Sequence, residues 1–273
     1  MLILRNNHTL EQKEFGIASN FKSGVKKVTD GTRNIISSGW LINQIERCGA
    51  NVSNKIKSNE GVNNKTLLKK SIREGRKYGA RTVSPDTFYS PRVRTRGGSF
   101  TTSTKELKED LTKGDTGLNK SKKFKNIVDS NKEVIVLDTK AFVPGKGTVK
   151  TARADSHAHE VGHLKNTADK KWYIKRSSSE GRDIITTPMH EDTGIGVKEA
   201  LRRVPNVIAV VQDEKDANKN AMKFLKDNGA SRKELKTAKR NFRHGAWSYR
   251  LAGAASILSP IQNSIKPKER RRK

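Results

Sequence analysis

A chain of 273 residues can form one large domain or two small ones, but only 32% of its residues are hydrophobic. The 57 lysines and arginines outnumber the 28 acidic residues, and a net charge of +29 opposes compaction unless a polyanion neutralises it. This composition excludes a core that uses the whole chain, and the single cysteine, Cys48, excludes a disulfide framework or a cysteine zinc site.

Basic residues occur in both halves of the chain, so we expect a nucleic acid or another polyanion as a partner of the molecule. The alternative is a solvated basic surface without a specific partner. The first residues form too short an apolar run for a signal peptide, and polar residues interrupt the late apolar run Leu251–Ile261, which is too short to span a bilayer. We therefore expect a cytoplasmic protein with no transmembrane segment, or a component of a particle assembled there.

Residues 1–120 predict a basic N-terminal region made of helical pieces and linker. Apolar spacing predicts helices at Gly39–Lys57 and Asn64–Tyr78, and the second of these has a basic face that suits phosphates. Between Arg81 and Lys120, prolines, paired glycines and a run of serine and threonine interrupt the periodicity and predict a loop or linker.

The folded part of the chain is predicted to begin near residue 121. Glu133–Thr139 has a continuous apolar centre, which is typical of a buried strand. Thr148–Arg153 predicts a second short strand, followed by a helix that Asp155 or Ser156 would cap.

Beyond residue 170 the sequence predicts two more short strands, at Lys171–Lys175 and Asp183–Thr187, and then helices. Three helices are expected, at Val197–Val204, Val207–Asn228 and Ser231 to about Ala255. Pro205 separates the first two, and Ser231 and Glu234 form a capping box that opens the third.

These elements predict an α+β fold, in which a small mixed sheet and an active-site helix are followed by a C-terminal helical part. A basic, partly irregular region precedes them. The predicted organisation is 1–120 for the basic region, 121–262 for the folded domain and 263–273 for a disordered basic tail.

The stretch His157–His163 contains one H-E-x-x-H motif, formed by His159, Glu160 and His163. Residues four apart lie on one face of a helix, so the two imidazoles can bind a single zinc ion. Glu160 is then placed to act on a metal-activated water. His157 falls off the metal-facing side and could support a ligand. A catalytic zinc also needs a third protein ligand, so the motif has to be completed from elsewhere in the chain.

Asp169 is one candidate for the third ligand, because it follows His163 by six residues. This layout resembles that of the metzincins, H-E-x-x-H-x-x-G-x-x-H/D, in which a glycine turns the chain back to the metal. Asn166 occupies the turning position here, and asparagine is the next-best residue for a left-handed conformation.

Glu214 is the other candidate, one turn before Ala217 on a helical face that continues through Ala221. Two small alanines on successive turns would allow this helix to approach the motif helix closely. We prefer Glu214 because it explains the helical pattern around it, while Glu191 and Asp216 remain open.

The order of these residues resembles the gluzincin pattern, in which E-x-x-A-D/N follows H-E-x-x-H some tens of residues later. The matching positions here are Glu214, Ala217 and Asn218. The chain looks most like the small ImmA/IrrE-type peptidases and related minimal gluzincins, over about residues 131–256. This resemblance implies a metallopeptidase whose edge strand, beside the motif helix, binds extended substrate.

The function we expect is zinc-dependent hydrolysis of a protein or peptide substrate. His159, His163 and Glu214 would bind Zn²⁺ and leave a position for water, and Glu160 would act as the general base. The spacing selects no oxyanion donor among His244, Tyr249, Tyr173 and His190.

The alternative is a non-enzymatic basic protein that binds nucleic acid or builds a virion, with a vestigial or structural H-E-x-x-H site. The net charge and the basic tail support it. The sparsely hydrophobic profile, rich in lysine and asparagine, is also similar to that of phage and mobile-element proteins. Such an origin would place the chain in the host cytoplasm or in a virion.

Overall fold

The computed structural model describes residues 60–90, 99–113, 117–143, 145–177 and 196–265. Its helices are α1 Lys65–Lys77, α2 Pro85–Phe88, α3 Thr104–Lys113, α4 Lys122–Ser130, α5 Ala154–Ala168, α6 Ile174–Ser177, α7 Val197–Asp227 and α8 Arg232–Ile265. Its strands are β1 Ala80–Val83, β2 Phe100–Ser103, β3 Glu133–Val136, β4 Lys140–Val143 and β5 Gly147–Lys150. The predicted helix at Gly39–Lys57, the predicted strand at Asp183–Thr187 and residues 266–273 of the predicted tail lie outside the described residues.

The described chain is an α+β protein with a small mixed sheet, as the sequence predicted. The three-stranded sheet has the order β1-β3-β2, in which β1 runs parallel and β2 antiparallel to β3. Strand β3 confirms the buried strand predicted from Glu133, and β5 pairs with β4 in a separate hairpin where the second strand was predicted.

The sheet is covered by helices on both faces, because its central strand is apolar on both sides. Val134, Ile135 and Val136 of β3 are all fully buried. Ile135 packs with Val161 and Leu164 of α5. The opposite face packs on α3 and α4 through the cluster Leu107, Phe124, Val128, Val134 and Val136. This arrangement fixes the motif helix α5 against the sheet.

The prediction of an irregular linker between residues 81 and 120 is wrong for its described part, which contains most of β1 together with α2, β2 and α3. The strands were missed because each has only four residues and β2, Phe-Thr-Thr-Ser, has little apolar character. Pro85 does not interrupt a helix but occupies the first turn of α2, where its missing N–H costs nothing. The domain boundary predicted at residue 120 therefore runs through one folded unit.

Two further predictions about helices need correction. Val197–Val204 and Val207–Asn228 form one helix, α7, with Pro205 in its interior. Val204, Val207 and Val210 are buried on either side of the proline, and burying this continuous face offsets the roughly 3 kcal/mol that an interior proline costs. Helix α8 likewise continues past the predicted end at Ala255.

The strand predicted at Lys171–Lys175 is also wrong, because this segment is a turn leading into α6. The alternation of polar and apolar residues, which resembled a strand, reflects one buried side chain. Tyr173 is buried, and its hydroxyl donates a hydrogen bond to Asp216 Oδ2 at 2.7 Å.

The capping box predicted at the start of the last helix is confirmed. The Ser231 hydroxyl accepts from the Glu234 amide at 3.3 Å, and Glu234 Oε2 accepts from the Ser231 amide at 2.7 Å. Glu234 Oε1 also accepts from Asn64, the residue that caps α1. The starts of α1 and α8 are thereby joined.

The described residues divide into two compact units. The sheet unit comprises residues 60–174 and 212–246, and the helical unit comprises 175–177, 196–211 and 247–265. Helices α7 and α8 contribute to both. The helical unit has its own apolar cluster around Val207 and Val210. None of the described helices is long and apolar enough to cross a membrane.

Glu133, at the start of β3, should make the stability of the sheet unit depend on pH. Burial and the nearby Glu106 raise the pKa of Glu133 from 4.5 to about 7, so the folded chain binds more protons than the unfolded chain between these values. The stabilisation is complete below pH 4.5 and is lost as the pH rises through about 7.

The substitution Glu133→Gln should therefore stabilise the fold at pH 8 by on the order of 1 kcal/mol, a figure reduced because the side chain is partly solvated. Urea unfolding at pH 5 and pH 8 measures the effect. Equal stability differences at the two pH values would contradict this account of Glu133.

Candidate metal centre

The motif helix α5 begins at Ala154, one residue before the predicted cap. Arg153 precedes it in a left-handed conformation, with φ of 47°, and forms no side-chain cap. Asp155 does not cap the helix because its carboxylate is used elsewhere. It accepts hydrogen bonds from the Val62 amide at 2.9 Å and from Asn241 Nδ2 at 2.7 Å, which tie α5 to the segment before α1 and to α8.

His159 and His163 lie on one face of α5, as their spacing predicted. Their ring centroids are 4.7 Å apart, and the two Nε2 atoms approach to 3.1 Å. Glu214 of α7 completes the group. Its Oε2 atom lies 3.1 Å from His159 Nε2, and its Oε1 atom lies 3.4 Å from His163 Nε2.

These separations fit a single metal ion. Atoms that bind one ion tetrahedrally at about 2.0–2.1 Å are about 3.3 Å from one another. The two Nε2 atoms are 3.1 Å apart, and each lies 3.1–3.4 Å from one oxygen of the Glu214 carboxylate, Oε2 for His159 and Oε1 for His163. Two imidazole nitrogens and a carboxylate are also donors that divalent transition metals accept. His159, His163 and Glu214 can therefore hold a metal ion, and no other group of this kind occurs within the described residues.

Close contact between α5 and α7 brings Glu214 to the histidines. Ala217 and Ala221 of α7 are fully buried, as expected for alanines that permit close approach. A Cβ atom added to Gly162 would lie only 2.5 Å from the Ala217 carbonyl oxygen. The glycine inside H-E-x-x-H thus sets the distance between the two helices, one turn from Glu214.

The structure does not bring Asp169 into the group of possible ligands. Asp169 is the residue at which α5 ends, and Asn166, which the alternative layout needs as a turn, lies inside that helix. Asp216 is hydrogen-bonded to Tyr173 instead, and Glu191 lies outside the described residues.

Asp213 is a functional candidate that the sequence analysis missed. Its Oδ2 atom lies 3.0 Å from His163 Nδ1, and its Oδ1 atom accepts from Asn166 Nδ2 at 2.8 Å. Asn166 in turn accepts from Asn220 at 2.9 Å. A carboxylate on Nδ1 fixes the tautomer of His163 and directs the Nε2 lone pair towards a metal.

Sequence reasoning had only a weak signal for this role. Asp213 directly precedes Glu214, so the two carboxylates are about 100° apart around the helix and cannot both be placed without knowing its rotation.

The centre concentrates negative charge away from water. Glu214 and Asp213 are 2% and 4% exposed. Burial opposes ionisation of Glu214, but His163 and His159 outweigh it and hold the pKa of Glu214 well below its usual value. Burial likewise lowers the pKa of His163, yet Glu214 and Asp213 reverse the effect and raise it to about 10. Two buried carboxylates need positive charge nearby to compensate them, and a divalent cation can supply it.

Glu160 is buried beside the three possible ligands but does not belong to their group. Its Oε2 atom accepts a hydrogen bond from the Thr101 hydroxyl of β2 at 3.0 Å. The edge strand β2 thereby fixes the carboxylate of the motif glutamate.

His157 has a structural position. Its ring atoms Nδ1 and Nε2 lie 2.7 Å from the Ser71 hydroxyl of α1 and 2.8 Å from the Thr82 hydroxyl of β1. Burial lowers the pKa of His157 to about 4, so its ring is neutral near pH 7. It joins α5 to α1 and to the sheet, away from the metal-facing side.

No protein-family model, curated protein or solved structure matches this chain. Inference about its function therefore depends on the residues and distances described above.

Replacing Gly162 by alanine should push α5 and α7 apart, because the backbone carbonyl of Ala217 cannot rotate out of the way. We expect a loss of about 1–3 kcal/mol in unfolding free energy, together with weaker metal binding. Gly245→Ala in α8 is the matched control, since a Cβ atom there meets nothing within 4 Å. Chemical unfolding and metal titration of both variants test this, and equal stability of the two would contradict it.

Three carboxylate substitutions should have different effects on metal affinity. Glu214→Gln removes a ligand and should abolish stoichiometric binding. Asp213→Asn should weaken binding about 10–100-fold, because only the support of His163 is lost. Asp169→Asn should leave the affinity unchanged. Metal titration followed by elemental analysis measures all three, and a loss of binding in Asp169→Asn alone would transfer the ligand role to that residue.

Proposed function

We propose that this protein is a zinc-dependent metallopeptidase of the gluzincin type, similar to the ImmA/IrrE-like peptidases. The observation that carries the proposal is the meeting of His159 Nε2, His163 Nε2 and the Glu214 carboxylate at 3.1–3.4 Å. Glu160 lies beside this group without belonging to it.

The number and type of donors favour zinc in a catalytic role. Structural zinc sites are closed by four protein ligands, whereas catalytic sites use three and keep one position open. Two histidines and one glutamate are such a set. When bound, zinc would polarise the scissile carbonyl and lower the pKa of a water molecule towards neutrality.

Glu160 is the general base of the proposed reaction. Thr101 holds the Oε2 atom of its carboxylate, so the orientation of the group is fixed before substrate binds. The carboxylate takes a proton from water and then passes it to the leaving amine. Asp213 keeps His163 oriented throughout, and the metal ligands themselves transfer no proton.

Substrate would bind along β2. This strand pairs with β3 on one side and is an edge of the sheet within the described residues. An extended peptide can add to such an edge through main-chain hydrogen bonds. Because Thr101 of β2 contacts Glu160, a peptide bound there would pass close to the proposed general base.

The competing function is a basic nucleic-acid-binding or virion protein with a structural or vestigial H-E-x-x-H. The net charge of +29 favours it. It gives no reason for the carboxylate of Glu160, which is buried and is not needed as a ligand. The two functions are also compatible in one chain.

Substituting Glu160 by glutamine should leave zinc binding intact and lower the rate of peptide hydrolysis about 10²–10⁴-fold, because only the proton carrier is lost. Thr101→Val should reduce the rate less, because the carboxylate remains but is held less firmly. Zinc content and cleavage of an unstructured protein substrate measure both effects. A chain without stoichiometric zinc, or Glu160→Gln with full activity, would exclude the peptidase.

A further inference from the structure

A second concave site lies in the sheet unit, away from the metal ligands. It is a cleft of about 540 Å³ between α1, α5 and the C-terminal part of α7. Helix α5 lines it with Ala158, Val161, Gly162 and Lys165. These residues occupy a different side of α5 from His159 and His163, so the cleft and the metal centre are separate sites on one helix.

The cleft is strongly basic. Five cationic side chains from the three helices line it: Lys70, Arg73, Lys77, Lys165 and Lys223. Its two acidic residues are already paired, Glu74 with Lys77 at 2.7 Å and Asp227 with Lys223 at 2.6 Å. Five positive and two negative charges leave a net charge of +3, which favours an anionic ligand.

Two of these cations are available to a ligand. Arg73 and Lys165 form no ion pair with any residue that the structure describes, whereas Lys70 donates to the Asn228 carbonyl at 3.0 Å. The Lys165 side chain lines the cleft and is half-buried. An anion in the cleft would pair with its ammonium group. The planar guanidinium of Arg73 can bind a phosphate through two parallel hydrogen bonds.

The remaining walls suit a nucleotide. Tyr78 and Phe224 line the cleft and are partly exposed, so they offer aromatic surface on which a base can stack. The volume falls within the range of small-ligand sites and is sufficient for a nucleotide unit.

We propose that this cleft binds a phosphate-bearing nucleotide, either free or as one unit of a nucleic-acid strand. Arg73 and Lys165 contact the phosphate, and Tyr78 and Phe224 contact the base. The proposal is independent of peptidase activity, because none of these residues belongs to the metal centre.

The test compares two double variants of the full chain that each remove two positive charges. Arg73→Gln with Lys165→Gln changes the cleft. Lys69→Gln with Arg76→Gln is the control, because both residues are exposed on α1 but do not line the cleft. Three probes are used. Binding of a labelled single-stranded oligonucleotide is measured by fluorescence anisotropy at several salt concentrations. Binding of adenosine monophosphate and of inorganic phosphate is measured by calorimetry. Unchanged metal content and thermal stability show that a variant is folded.

We expect the cleft variant to lose at least about tenfold in affinity for the oligonucleotide or the mononucleotide, and the control to lose less than about threefold. Competition between the mononucleotide and the oligonucleotide assigns the cleft to a free nucleotide. Oligonucleotide binding that requires Arg73 and Lys165 but resists the mononucleotide assigns it to a strand. Equal losses in both variants, no binding of either nucleotide probe, or binding of the mononucleotide no tighter than inorganic phosphate would overturn the proposal.

Discussion

The close approach of α5 and α7 at Gly162 and Ala217 is the constraint on which the candidate centre depends. A side chain at Gly162 would meet the Ala217 backbone and separate the helices, and Glu214 lies only one turn away. The histidines alone provide two donors on one helix face, and a third donor arrives only because the second helix comes this near. Backbone packing of small residues therefore determines the geometry of the charged group.

A second requirement is that the buried charges compensate one another. Asp213, Glu214 and His163 are nearly inaccessible to water, and isolated charges in such a place would be prohibitively unfavourable. Hydrogen bonds from Asn166 to Asp213, and the opposite charges of histidine and carboxylate, offset part of the cost. Such an arrangement stabilises a fold poorly compared with an apolar core of similar volume.

Sequence patterns predicted the α+β class, the buried strand β3, helix α1 and the capping box at Ser231, since each has a strong local signal. They missed β1 and β2, which have four residues each and depend on pairing with β3 for their stability. The helix break predicted at Pro205 is wrong because the valines on both sides of the proline are buried on one face, which offsets its cost. At the site, residue spacing predicted that His159, His163 and Glu214 lie together. The contact between Asp213 and His163 depends on the rotation of α7 about its axis, which the sequence does not specify.

The proposed peptidase requires one zinc ion held by two imidazoles and one carboxylate. X-ray absorption spectroscopy of the zinc-loaded protein at the zinc edge tests it most directly. We predict a shell of about four nitrogen and oxygen donors at about 2.0–2.1 Å, with the outer-shell scattering of two imidazole rings. A spectrum with no imidazole scattering, or with six oxygen donors typical of weakly bound surface metal, would contradict the account.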